Sequence, residues 1–140
     1  MLEIGTGFKS YEYLFPHIKV ISTDIVMHDG IDEIADVTAL KYGSETFDYV
    51  LCINVLEHIT EPQKALDEIQ RVLRPGGLAI ISTPFLFPVH DPPHDYWRFT
   101  EYFYQIFMQK FSRIYIKPLV LLPLGLFRRF VLQYFVTAWK

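Results

Sequence analysis

The chain is poor in cysteine and has no excess of positive charge, and each shortage excludes a class of protein. Its one cysteine, Cys52, cannot form an internal disulfide, and a single thiol cannot build a multi-cysteine zinc site. Lys and Arg number 13 against 16 Asp and Glu, which gives a formal net charge of -3. Because no basic field is present to hold a phosphate backbone, nucleic acid is not an expected partner.

A secretory signal is also missing, since the residues after Met1 contain neither a charged region nor a long apolar run. Together with the lone thiol, this predicts a cytoplasmic protein. Of the 140 residues, 51% are hydrophobic and 16% aromatic, which is enough to build one packed core. We therefore expect a folded domain rather than a disordered chain.

Apolar strand patterns alternate with helical patterns along the chain. The predicted helices run from Pro62 to Arg74, where Pro75-Gly76-Gly77 ends the pattern, and from Thr100 to Lys110. The predicted strands cover residues 2–4, 19–24, 47–53, 78–82 and 111–117, with a short further segment within 31–40. This alternation predicts an α/β fold, with a doubly wound, mostly parallel sheet and helices on both faces.

Glycines and polar residues follow the ends of four predicted strand segments. Gly5 and Gly7 follow the first, Asp24 closes the second, Asp36 lies in the third, and Asn54 follows the fourth. In an open parallel sheet these ends meet at one crevice, where ligands bind. Asp24 follows Glu3 by about 20 residues, the interval at which an acidic residue of such folds reaches ribose hydroxyls. The sequence thus predicts one ligand crevice at this edge.

The same motifs together resemble the class I S-adenosylmethionine-dependent methyltransferases of type 11. Residues 2–7 are similar to the first motif of that family, 22–25 to its second-strand acid, 47–59 to its fourth-strand motif, and 73–77 to the turn before its fifth strand. The motifs keep the family's order and cover about residues 2–84. The resemblance implies a Rossmann-like fold that binds S-adenosylmethionine and transfers its methyl group.

The resemblance also implies a set of cofactor contacts: Glu3, Gly5, Gly7, Asp24, Ile25, Asp36, Val37 and Asn54. The two glycines would pass under the methionine part, and Glu3 would support their loop and the amino group. Asp24 would hold the ribose, while Asp36 would accept a hydrogen bond from adenine. Ile25 and Val37 would border the adenine ring, and Asn54 would flank the methionyl end.

The loop that includes residues 90–98 carries the candidate catalytic residues His94 and Asp95. A positioned base assists methyl transfer to a hydroxyl, so O-methylation of a small molecule or glycan is the predicted reaction. Residues 93–100 are also similar to a motif of methyltransferases associated with bacterial cell-surface polysaccharide synthesis. In an alternative interpretation the loop is only structural, with Arg98 pairing Asp95 and Trp97 filling a gap in the core.

No metal site is predicted from the histidine spacing. His90 and His94 have the four-residue interval of a helical metal pair, but the intervening Pro92-Pro93 is incompatible with a regular helix. Glu57 and His58 are interpreted as residues that cap the helix after the fourth strand or shape the pocket wall.

Residues 118–140 form a second region beyond a predicted methyltransferase domain of residues 1–117. Apolar residues recur there at three- and four-residue steps and predict a helix: Phe127, Phe130, Val131, Tyr134, Phe135 and Ala138. Three surfaces are open for this helix to cover: the domain itself, a second copy of the chain in a homodimer, or the inner face of a membrane in peripheral contact.

Two alternative functions are considered for the same predicted sheet. The chain lacks the helix that usually precedes the first strand of the family, and Lys9 stands where the family has a third loop glycine. These departures motivate an alternative, a non-catalytic cofactor-binding or interaction module. A nicotinamide-dependent oxidoreductase is disfavoured because residues 5–10 lack a full glycine fingerprint.

Overall fold

The computed structural model describes residues 1–7, 10–121 and 130–140. The described strands are β1 (Leu2–Ile4), β2 (Ile21–Asp24), β3 (Glu33–Ile34), β4 (Phe47–Ile53), β5 (Leu73–Pro84), β6 (Arg113–Leu121) and β7 (Phe130–Trp139). The described helices are α1 (Pro62–Val72) and α2 (Glu101–Phe107), with short 3-10 helices at Glu12–Leu14 and Leu56–His58.

The strands form one sheet in the order β3-β2-β1-β4-β5-β7-β6. The first five strands of this order are parallel, whereas β7 runs antiparallel to both of its neighbours. The chain adds strands on one side of β1 up to β3 and then continues on the other side with β4, so strand order reverses between β1 and β4. The predicted Rossmann-like, mostly parallel α/β fold is confirmed, and the reversal marks where such sheets bind ligands.

The core lies around β4 and α1. Residues 47–53 form β4 as predicted, and its Val50 and Cys52 are buried. α1 begins at Pro62, where the missing N–H of proline costs no helical hydrogen bond. Its buried residues recur at helical spacing and are Ala65, Leu66, Ile69 and Val72. Burial of each Leu, Ile or Val side chain contributes about 1.5–3 kcal/mol, which fixes α1 against the sheet.

The helix predicted for residues 118–140 is wrong in the described part of that segment. Residues 118–121 continue β6, whose earlier residues were predicted as a strand, and residues 130–139 form β7, while residues 122–129 lie outside the described chain. Tyr134, Val136 and Ala138 are buried at every second position, which is the period of a strand. The segment is apolar almost throughout, so its residues fit a helical pattern as well as a strand pattern. Pairing with β5 stabilises the strand.

The same pairing joins this segment to the sheet of the predicted domain. β7 pairs with β5 from Leu78 to Pro84, and β6 then pairs with β7. β7 is therefore formed by residues that were assigned to a separate helix, whereas β6 begins within the predicted strand of residues 111–117. No helix within the described part of the chain combines the length and apolar character needed to cross a membrane.

Candidate active site

A cavity of about 870 Å³ opens at the carboxyl ends of β1, β2 and β4, where strand order reverses. Small-molecule sites typically have volumes of about 300–1,000 Å³. Eight of the ten predicted site residues line it: Gly5, Gly7, Asp24, Ile25, Asp36, Val37, Asn54 and His94. Glu3 and Asp95 are not among its lining residues. The structure thus brings the predicted strand ends together.

The first turn of the cavity wall requires glycine at position 5. Gly5 has a φ of +66°, and a Cβ atom placed on it would lie 2.3 Å from Cγ2 of Val55. Real side chains do not tolerate such a distance, so the backbone of β1 bends here only because the side chain is missing. The backbone of the bend is thereby left open to a ligand.

Glu3 lies beneath the glycine bend and holds the chain that follows it. Its side chain is buried, with Oε1 accepting from the Tyr11 amide at 2.7 Å and Oε2 accepting from the Ser10 hydroxyl at 2.6 Å. These bonds fit the support of the loop that was expected of Glu3. Lys9, which stands where the family has a third loop glycine, lies outside the described residues.

Asp24 connects the end of β2 to the glycine bend. Its Oδ2 accepts from the Gly7 amide at 2.8 Å, and its Oδ1 accepts from the Val26 amide at 3.2 Å. An ionised carboxylate has about four acceptor positions, so these two bonds leave about two, on a side chain that Nε2 of His28 also faces at 3.6 Å from Oδ2. The side chain is 16% exposed and lines the cavity.

Asp36 is held by the residue two positions after it. Its Oδ1 accepts from both the amide and the hydroxyl of Thr38, at 2.8 and 2.7 Å. The neighbouring Val37 is buried and closes the cavity wall beside it. The turn therefore fixes the carboxylate of Asp36 at the rim of the cavity.

Asn54 is positioned by two other strands. It has a φ of +54°, and its Oδ1 accepts from the Ser82 hydroxyl at 3.1 Å and from Nε2 of Gln133 at 2.8 Å. Ser82 belongs to β5 and Gln133 to β7. Sequence reasoning missed Gln133 because the residue was assigned to a helix, and only the strand register of β7 brings it to Asn54.

His94 reaches the cavity from the loop after β5. Its Nδ1 lies 2.9 Å from the Tyr96 hydroxyl, and its backbone oxygen lies 2.7 Å from Nδ1 of His58. His58 also lines the cavity, as expected for a residue that shapes the pocket wall. A titratable imidazole thus faces the same space as the predicted cofactor residues.

Residues 2–81 match the family model of a methyltransferase domain, which covers more than half of the chain. The chain belongs to this methyltransferase family. S-adenosylmethionine is the cofactor of such domains, and the bare backbone at Gly5, which a Cβ atom would obstruct, fits a site for it.

Curated relatives carry methyltransferase names. The chain is 34% identical over 98 residues to a demethylmenaquinone methyltransferase of Renibacterium salmoninarum, covering 63% of this chain and 41% of the relative. It is 34% identical over 85 residues to a ubiquinone biosynthesis O-methyltransferase of Parvibaculum lavamentivorans, covering 59% of this chain and 34% of that relative. The chain therefore spans less than half the length of either relative.

Solved structures share the fold at low sequence identity. A S-adenosylmethionine-dependent methyltransferase from Archaeoglobus fulgidus matches with a TM-score of 0.76 at 14% identity, over 99% of this chain and 85% of that one. A possible histamine N-methyltransferase from Thermotoga maritima matches with a TM-score of 0.73 at 18% identity, over 99% and 81%. Both matches extend across β6 and β7, so the antiparallel edge belongs to the shared fold.

Asp95 lies behind the loop rather than in the cavity. Its carboxylate is fully buried and accepts from Nη1 and Nη2 of Arg98, at 2.6 and 2.8 Å, and from the His90 amide at 2.9 Å. The guanidinium holds the pKa of this carboxyl well below its usual range. The geometry supports the structural alternative for Asp95, in which it pins the loop and does not act as a base.

Trp97 differs from its expected position in the core. Its side chain is 43% exposed, and its indole N–H donates to the backbone oxygen of Ile59 at 2.9 Å. The indole therefore fastens the loop to the segment after β4 through a hydrogen bond. The predicted filling of a core gap is wrong for this residue.

A second group of titratable residues lies beside the cavity. Glu57 is fully buried, and burial raises its pKa to about 7. One potential metal-ligand atom from each of Glu57, His58 and His90 lies within 4.8 Å of the others. Sequence spacing could not reveal this group, because His90 follows His58 by more than thirty residues and reaches it only through the fold.

Proposed function

We propose that the protein transfers a methyl group from S-adenosylmethionine to a hydroxyl of a small-molecule acceptor. The observation that carries this proposal is the convergence of Gly5, Asp24 and Asn54, from three strand ends, on one cavity that His94 also lines. Family membership supports the reaction type, and the histidine at the cavity supports oxygen as the acceptor atom.

The proposed cofactor contacts follow from the groups that the protein leaves available. The two remaining acceptor positions of Asp24 suit the vicinal hydroxyls of a ribose. Oδ2 of Asp36 accepts from the exocyclic amine of adenine, while Ile25 and Val37 cover its ring. Gly5 and Gly7 contact the methionine part through their backbone, and Asn54 contacts it through its side-chain amide. Glu3 acts beneath the bend as a positioning residue.

In the proposed mechanism the protein aligns the acceptor and removes a proton. When bound, S-adenosylmethionine supplies an electrophilic methyl group, which the acceptor oxygen takes while the electrons of the carbon–sulfur bond stay on sulfur. A proton on Nδ1 of His94, donated to Tyr96, leaves Nε2 free to take the acceptor proton. The main contribution of the cavity is alignment and exclusion of water.

The acceptor class is proposed from the relatives. One relative described above is named a demethylmenaquinone methyltransferase and the other a ubiquinone biosynthesis O-methyltransferase. Both names favour a quinone-type ring compound over a glycan, and the second also favours oxygen as the acceptor atom. A panel of phenolic, quinol and glycan acceptors would decide, with the methylated product located by mass spectrometry. Methylation of glycans alone, or of carbon, would contradict the proposal.

Calorimetric titration with S-adenosylmethionine and S-adenosylhomocysteine tests the cofactor site. Asp24→Ala should weaken binding by an order of magnitude or more, because a charged acceptor of two hydrogen bonds is lost. Asp29→Ala is the matched control, since Asp29 is an exposed acid that does not line the cavity. No binding to the folded wild type, or equal weakening by both variants, would contradict the proposal.

The role of His94 is tested by separating turnover from binding. His94→Gln keeps a polar side chain of similar size but cannot take up a proton, so the methylation rate should fall about a hundredfold, within the usual range for a lost general base. Cofactor affinity should stay within about twofold of wild type. Cofactor binding without turnover by the wild type, across the whole acceptor panel, would favour the non-catalytic module instead.

A further inference from the structure

We infer that Glu57, His58 and His90 form a binding site for one divalent transition-metal ion, such as Zn²⁺, beside the cofactor cavity. One carboxylate and two imidazoles are a recurrent ligand set of such ions, and two imidazoles disfavour Mg²⁺ and Ca²⁺. No part of the proposed methyl transfer uses Glu57 or His90.

The strongest observation for this site is the state of the Glu57 carboxylate. The side chain is fully buried, and neither Oε1 nor Oε2 has a hydrogen-bond partner. Burial of a carboxylate without partners is costly, and native proteins normally avoid it unless an ion or another group completes the site. A cation between this carboxylate and the two imidazoles would satisfy it.

The distances are close to those of a metal site. Nε2 of His58 and Nε2 of His90 each lie 3.9 Å from the same atom, Oε1 of Glu57. Ligand atoms around a tetrahedral zinc ion, with bonds of about 2.0–2.2 Å, are about 3.4 Å apart. The three ligand atoms lie within 4.8 Å of one another, so movements of up to about 0.7 Å by each imidazole would close the site.

The second imidazole nitrogen of His58 is held by a hydrogen bond, which leaves its Nε2 available to a metal ion. Nδ1 of His58 lies 2.7 Å from the backbone oxygen of His94, which requires a proton on Nδ1. Nδ1 of His90 lies 3.1 Å from Oδ2 of Asp95, but the geometry between them is not that of a hydrogen bond. Histidines that bind metals commonly donate their other N–H to a carbonyl or carboxylate, as His58 does to the carbonyl of His94. Nε2 of each imidazole lies 3.9 Å from the Glu57 carboxylate.

An ion could reach this site from solvent, and it would adjoin the cavity. The side chains of His58 and His90 are 21% and 31% exposed, and His58 also forms part of the cavity wall. Three protein ligands leave one coordination position open, as in catalytic zinc sites. An acceptor oxygen bound there would lose its proton more readily, a consequence that rests on the proposed function.

Cobalt titration of untagged, chelator-treated protein tests the site directly, since Co²⁺ bound by nitrogen and oxygen ligands shows visible absorption that reports its geometry. We expect one Co²⁺ per chain, displaced by Zn²⁺ but not by an excess of Mg²⁺. His90→Ala and Glu57→Gln should each weaken Co²⁺ binding by more than about tenfold. Even the loss of a residue that only hydrogen-bonds to a metal ligand typically lowers metal affinity by that much. His17→Ala, which removes an exposed histidine elsewhere, should bind as wild type does.

The site is overturned if the folded wild type binds no Co²⁺, or if His90→Ala binds it as tightly as wild type. His90 is partly exposed, so its variant remains informative even if Glu57→Gln does not fold. S-adenosylhomocysteine titration of the metal-free protein measures the cofactor site separately. Failure of the metal site with intact cofactor binding would thus leave the proposed function standing, and the reverse result would leave the metal site standing.

Discussion

The parallel strands and the antiparallel edge of the sheet contribute to the site in different ways. β1, β2 and β4 end at the cavity, and the residues that follow them line it. No described residue of β6 or β7 lines the cavity, yet Gln133 of β7 donates to the side-chain oxygen of Asn54. The parallel half supplies the contacts, whereas the antiparallel edge holds one of them in place. A substitution in either half can therefore damage the site, by removing a contact in the parallel half or by releasing a contact residue in the antiparallel edge.

The loop between the two halves offers the largest expected effect. Arg98→Met would leave the buried Asp95 carboxylate without its cation and should lower the free energy of unfolding by about 3 kcal/mol, the lower end for a broken buried pair because Arg98 is partly exposed. Arg74→Met, which breaks the exposed pair with Asp48, should cost less than about 1 kcal/mol. Urea denaturation measures both. Equal losses would show that the Asp95 pair does not anchor the loop.

Gly5 tests the parallel half itself. Gly5→Ala should lower the free energy of unfolding by about 2 kcal/mol, because a side chain in the left-handed region is strained and its Cβ would meet Val55. Cofactor binding should fall by at least tenfold as the bend shifts. Gly30→Ala places alanine at a positive φ in open space, so it isolates the backbone strain from the contact with Val55. Unchanged cofactor affinity in Gly5→Ala would show that the bend is not part of the cofactor site.

Gln133 tests whether the antiparallel edge supports the site. Gln133→Ala removes the hydrogen bonds to Asn54 and Ser82 and should weaken cofactor binding by about fivefold, the equivalent of one hydrogen bond. Thr137→Ala lies on the same strand, where its partners are Ile80 and Tyr115, and should leave binding unchanged. If calorimetry finds no difference between the two variants, the edge has no part in positioning Asn54.

The smallest expected effect concerns packing of α1 in the parallel half. Glu68 accepts from Arg71 and from the Leu40 amide, and these hydrogen bonds, that of Arg71 foremost, lower the pKa of Glu68. The stabilisation is complete above the unfolded pKa of about 4.3 and is lost as pH falls through the lower folded pKa.

Glu68→Gln should therefore lose about 1 kcal/mol at pH 7 relative to wild type, and the difference should shrink on acidification. Urea unfolding at several pH values measures this difference. Glu61→Gln, which alters the exposed pair with Lys64, should show little difference at any pH. A difference in free energy of unfolding that stays constant down to pH 3 would show that the effect of Glu68 comes from its shape rather than its charge.

The parallel half could be predicted from sequence because each strand there has a distinct end. Glycines after β1 and Asp24 at the end of β2 mark where an apolar run stops, and the fold rule for such sheets places those ends together. The antiparallel edge carries no such marks. β7 is apolar nearly throughout, so the period of its pattern does not distinguish a strand from a helix, and its pairing with β5 depends on residues some fifty positions away.

The candidate site was predictable to the extent that its residues follow strand ends. Gly5, Asp24 and Asn54 are of this kind. Asp95 and Gln133 are not, because their environments are set by Arg98 and by strand register rather than by neighbours in sequence. The cluster of Glu57, His58 and His90 depends likewise on a loop that folds back over the segment after β4.

Three apolar side chains next to Asp24 have a consequence for the thermodynamics of ligand binding. Ile25, Val26 and Met27 are 62%, 63% and 57% exposed at the cavity. A purine lying on them would withdraw apolar surface from water, so association should be accompanied by a negative change in heat capacity. Its enthalpy should therefore become more favourable as temperature rises.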